Sequence, residues 1–174
     1  ALGFASQLTA GETLPLICFN QQERSRLQDL LTPRLHSGAS LRFLDFNTES
    51  LTDIGAIHVP DPGLSRWQLL RSSCPANAFS LTGIIHTLSS SDVISELERL
   101  FLSPLHPWDA LVCTSTAGRD VVRAVFQSLQ HYLESHFSCT ITKRDGLQLP
   151  IIPLAVPDPL SESLGFDSDR SSLR

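Results

Sequence analysis

Two histidines, an aspartate and two hydroxyl residues stand where this chain could do chemistry. His86 follows the apolar pair Ile84-Ile85 and precedes Thr87. That placement puts an imidazole at the carboxyl end of a strand, where a side chain leaves the core and enters a cleft. Its near-neutral titration would let it donate to or polarise a substrate oxygen, and the alternative is a histidine that satisfies a loop carbonyl. Ser115 closes the run Asp109 to Ser115 (DALVCTS) where a strand passes into a helix. Its hydroxyl and the nearby amides can hold an anionic group or simply cap the helix. His58 and Asp61 flank the turn Pro60 to Gly63 (PDPG), a donor and an acceptor suited to a polyhydroxylated ligand, or else a turn fixed by its own Asp.

Those positions need a sheet to bring them together, and the chain supplies the pattern. Leu14 to Phe19, Leu41 to Phe46, Ile54 to Val59, Phe79 to Ile85, Ala110 to Cys113 and Leu149 to Leu154 read as strands. Between them lie helical stretches: Leu27, Leu30, Leu31 and Leu35 on one stripe, a short helix from Ser65, then Val93, Ile94, Leu97, Leu100 and Phe101 on another. A long helix after Ser115 turns Val121, Val122, Val125, Leu129 and Leu133 inward. Strand and helix alternate, which implies an α/β fold: a single doubly wound, mainly parallel sheet with right-handed crossovers and helices on both faces.

Size and composition agree with one domain. A chain of 174 residues can bury roughly 70% of its unfolded surface. The hydrophobic share of 41% and charged share of 18% are those of a globular protein. With a net charge of -5 and no run among its 13 Lys and Arg, the chain lacks the basic patch that nucleic acid or an anionic membrane requires. No apolar run is long enough to span a bilayer and no signal peptide is visible, so a cytoplasmic protein is expected. Residues 1–156 are assigned to the domain and 157–174, rich in Ser, Asp and Arg, to a linker or tail. The opening ALGFASQLTAG reads as the end of a helix stopped by Gly11, in a chain that contains no Met, which suggests a fragment.

Several chemistries find no support. The four cysteines are scattered without a CxxC pair, so free thiols are expected and no metal site. No GxSxG elbow, Walker loop or GxGxxG is present, and no cofactor is expected. His131 and His136 are five apart, about 140° around a helix, and belong to its surface. Trp67 and Trp108 could stack on a sugar ring, although packing is the commoner fate of tryptophan.

Three segments in succession, Ile84 to Thr87 (IIHT), Asp109 to Asp120 (DALVCTSTAGRD) and Leu149 to Val156 (LPIIPLAV), resemble the amino-terminal half of a family 4 retaining glycosyltransferase of the GT-B fold. The order and spacing agree over about two thirds of the chain. The resemblance implies a Rossmann-like, acceptor-side domain whose partner domain binds a nucleotide-activated sugar. It also implies transfer of that sugar to an acceptor hydroxyl with retained configuration, without a required metal. His86 would lie close to the transferred sugar, with Thr87 and Ser115 also in the cleft. Without the donor half, little transfer is expected of this chain alone. The sequence departs from the family at Ala155, Val156, Pro157 and Asp158, where Gly, Val and Asp are usual, and the family's first strand with its Gly-rich loop is not visible before Ala1. A non-catalytic α/β binding or interaction module is the alternative.

Overall fold

The computed structural model describes residues 5–52, 54–75, 77–142 and 146–154, so the segment assigned to a linker or tail lies outside the described residues. Among the described residues five strands alternate with five α-helices: β1 (Thr13–Cys18), α1 (Gln21–Leu31), β2 (Ser40–Asp45), α2 (Thr48–Leu51), β3 (Gly55–His58), α3 (Ser65–Arg71), β4 (Phe79–Ile85), α4 (Ser91–Leu102), β5 (Ala110–Cys113) and α5 (Thr116–Phe137). Every strand pairing is parallel. The chain is a Rossmann-like α/β protein.

The pairing corrects the expectation of one continuous sheet. β1 pairs with β2, and β3, β4 and β5 form a second ladder in that order. The second ladder grows in chain order, so right-handed crossovers carry α3 and α4 over the same face. Burial along β4 records this: Phe79, Leu81, Gly83 and Ile85 are buried, while Ser80, Thr82 and Ile84 on the other face are half-buried. The core under the helices gathers Leu64, Leu81, Leu97, Leu100, Leu111 and Val122, all essentially inaccessible to water. Burying such a side chain contributes about 1.5–3 kcal/mol.

The sixth expected strand exists as an interrupted edge. Gln148 N donates to Asp109 O, Leu111 N to Gln148 O, Cys113 N to Pro150 O and Ile152 N to Cys113 O, a parallel run beside β5. Pro150 stands where the next amide donor belongs and has none to give. The thiol of the buried Cys113 is directed instead at the Leu111 carbonyl, 3.6 Å away.

Two helices also differ from their sequence stripes. Pro33 turns the end of the first helix into a 3-10 turn at Thr32–Arg34, so α1 stops at Leu31 and leaves Leu30 exposed. In α5 Val122 is buried, Val125 packs against the core and Leu129 and Leu133 are half-buried as expected, whereas Val121 faces out.

Beneath the sheet's amino edge lies an ion pair closed off from water. Arg71 of α3 grips Asp109, just ahead of β5, through Nη1 and Nη2 at 2.7 and 2.6 Å. The same carboxylate accepts the Leu81 and His106 amides, and Arg71 also donates to the Phe79 carbonyl. Burial alone would raise the Asp109 carboxyl, and these donors more than offset it, holding its pKa below the ordinary value. One carboxylate thus ties α3, β4 and β5 together.

Candidate functional site at the carboxyl ends of the strands

Parallel pairing delivers the ends of neighbouring strands to a common edge. Ile85 of β4 is level with Cys113 of β5, so His86 and Ser115 leave the sheet one and two residues beyond that pair. His86 is exposed, as its position at a strand end requires. Thr87 beside it is also exposed, and its Oγ1 lies 2.8 Å from Ser89 Oγ and accepts the Ser89 amide in a local turn. The Ser115 hydroxyl accepts the Gly118 amide at 3.0 Å and caps α5. Both hydroxyls therefore have local structural work in this state.

His58 ends β3 level with Thr82, and its Nδ1 lies 3.1 Å from Thr82 Oγ1. Although the residue as a whole is exposed, desolvation of the ring, with the proximity of His86 acting in the same direction, pushes its pKa below the ordinary imidazole value. The two histidines are electrostatic neighbours at one edge. Desolvation favours the neutral ring of His58, which can both donate and accept a hydrogen bond.

Asp61 faces a different feature. Its Oδ1 accepts the Gly63 amide at 2.7 Å, fixing the turn, while its backbone carbonyl accepts the Ile84 amide. Gly83 is required beneath that turn: a Cβ there would stand 2.8 Å from the Asp61 carbonyl oxygen and 3.0 Å from Leu64. The remaining carboxylate oxygen meets the Arg66 guanidinium at 3.7 Å, with both side chains about half exposed. A groove of about 410 Å³ opens beside them, lined in part by Asp61, Gly63, Arg66, Asp92, Glu96 and Arg99. Its lining does not include His58, His86, Thr87 or Ser115.

Sequence reading missed the aromatic group at this edge. β1 and β2 are each followed directly by Phe-Asn, at Phe19-Asn20 and Phe46-Asn47. Each Asn oxygen accepts an amide three residues on, at 2.8 Å, and caps the following helix. The two phenyl rings are left beyond the strands, 5.2 Å apart, and Trp67 of α3 packs 6.1 Å from Phe19 and 4.9 Å from Phe46. Trp67 is buried, whereas Phe19 is 53% and Phe46 37% exposed. The Arg66 guanidinium lies 5.9 Å from the Phe19 and Trp67 rings. The repeated Phe-Asn was the available signal, masked because a Phe ending an apolar run reads as core.

Trp108 is half-exposed and stacks on His106 at 4.6 Å. His131 and His136 are on the exposed surface of α5, with His136 stacked on Tyr132. Among the described residues, no group of His, Cys, Asp and Glu is arranged to hold a metal ion, and no helix is long and apolar enough to cross a membrane. No family model, curated protein or solved structure matches this chain.

Proposed function

We propose that this chain is the acceptor-side half of a retaining glycosyltransferase, acting with a donor-binding half that holds a nucleoside diphosphate sugar. The observation that carries this reading is His86, exposed directly beyond the middle strand of a parallel ladder, one strand from the Ser115 helix cap. Its support is the order of IIHT, DALVCTS and LPIIPLAV along the chain, which resembles family 4 glycosyltransferases in the same order.

In such a reaction the bond from the anomeric carbon to the leaving phosphate breaks as the acceptor oxygen approaches the same face. Positive charge develops on the sugar and negative charge on the phosphate, so positioned dipoles lower the barrier. His86 would hydrogen-bond the transferred sugar and fix its orientation. His58, whose pKa desolvation holds below the ordinary imidazole value, would assist as a donor or acceptor toward sugar hydroxyls.

Nucleotide release from a panel of nucleoside diphosphate sugars, measured for the intact gene product and its His86→Ala variant, tests the reading. Release by the parent should fall about 100-fold in a variant whose circular dichroism is unchanged. Equal release from both proteins would remove His86 from the reaction. Absence of release with every donor would instead favour a non-catalytic binding module, for which the local engagement of the Ser115 and Thr87 hydroxyls is the supporting observation.

A further inference from the structure

The geometry points to a binding platform for a neutral sugar ring on Phe19, Phe46 and the Asp61–Arg66 pair, so that the acceptor of the proposed transfer is itself a saccharide. This inference rests on the transferase reading for the word acceptor, and on the platform alone for the binding.

Three separate elements build the platform. Phe19 follows β1, Phe46 follows β2 and Arg66 belongs to α3, with the buried Trp67 packed against both phenyl rings. Two phenylalanines exposed by 53% and 37% at the carboxyl edge of parallel strands leave apolar surface in water at the place where open α/β sheets bind ligands. The rings are tilted against one another by 49°, and Phe46 meets Trp67 nearly edge-on at 83°. They therefore form a stepped surface without the parallel walls that would clasp a flat base. A puckered ring with axial C–H groups fits such a surface.

Charge decides between ligand classes. Arg66 offers planar N–H donors and Asp61 a carboxylate acceptor, 3.7 Å apart and both about half exposed. An anionic ligand drawn to the guanidinium would meet the carboxylate beside it, and a cation drawn to Asp61 would meet Arg66. A neutral polyol uses both, its hydroxyls donating to Asp61 and accepting from Arg66, while its apolar face rests on the phenyl rings. Asp61 Oδ1 is already held by the Gly63 amide, which fixes the carboxylate before a ligand arrives.

Saturation-transfer NMR on the 174-residue chain, with the methyl glycosides of glucose, mannose and galactose as probes and glucuronate as the anionic control, tests the platform. At least one glycoside should receive saturation from aromatic protons. Its affinity should fall about tenfold or more in Phe19→Ala and in Arg66→Gln. Phe46→Leu keeps apolar volume against Trp67 and removes the ring, so it should weaken binding even if Phe19→Ala folds poorly. Asp61→Asn retains an acceptor for the Gly63 amide but removes the charge, and glucuronate should then gain affinity. No transfer from any glycoside to the folded chain, unchanged affinity in the folded variants, or tighter binding of glucuronate by the parent would each overturn the platform. Glycoside binding at these residues without nucleotide release by the intact gene product would leave the platform standing and sink the transferase reading. Nucleotide release that Phe19→Ala does not alter and no glycoside stimulates would do the reverse.

Discussion

The two ladders of this protein carry different burdens. In the β3–β4–β5 half, Ile57 of β3 and alternate residues of β4 and β5 are buried, and even a charged pair, Arg71 and Asp109, is sealed inside. In the β1–β2 half, Leu44 is the single buried strand residue and Leu31 the one buried residue of α1, while Phe19, Leu30 and Phe46 face water. Burial is concentrated in one half and exposed apolar surface in the other. Arg66 and Trp67 join them, since both belong to the first helix of the well-buried half and touch Phe19 across the divide.

The contrast can be broken most severely at Asp109. Asp109→Ala leaves the Arg71 guanidinium buried without its counterion and should cost about 3–5 kcal/mol in urea unfolding. Replacing both partners, as Arg71→Met with Asp109→Leu, should recover much of that loss; a double variant as unstable as the single one would show that the Leu81 and His106 amides, not the arginine, are the main beneficiaries. The sign of the pH dependence follows from the depressed carboxyl pKa. Its contribution is full above the ordinary aspartate value of 3.8 and is lost as pH falls through the lower folded value, so acid unfolding of Asp109→Asn should be shallower than that of the parent.

A smaller loss, about 1–3 kcal/mol, is expected for Gly83→Ala, whose methyl group would press the Asp61 carbonyl and Leu64. Thermal melting reads this directly, and a loss well below 1 kcal/mol would mean that the turn over β4 yields easily. The smallest of the three belongs to the thinly buried half. Asn20→Ala removes the cap of α1 and should cost about 1 kcal/mol, with hydrogen exchange accelerated in α1 but not in α4. Equal acceleration in both helices would show that the halves unfold as one unit.

Periodicity was enough to find the strands to within a residue or so, because apolar runs bounded by Asn, Gly or Pro are local signals. What it could not supply was anything depending on distant partners. Asp109 reads as the polar start of a strand, and nothing nearby in sequence announces that an arginine 38 positions earlier will neutralise it. The division between ladders is equally silent, since a strand's composition does not name its neighbour. At the site, His58, His86 and Ser115 were legible as strand-end residues. Phe19, Phe46 and Arg66 were not, because whether a terminal phenylalanine turns inward or out depends on what the fold lays over it.

From β3 onward each strand is laid beside the one made just before it, and the edge segment from Gln148 continues the series beyond β5. A chain leaving the ribosome could therefore extend this ladder in the order of its synthesis, closing one helical crossover at each addition. The latch comes midway in that sequence, ahead of β5 and α5. Arg71 and Leu81 both precede Asp109 in the chain, so the pairing that ties α3 to β4 and β5 waits on a carboxylate made after both of its partners.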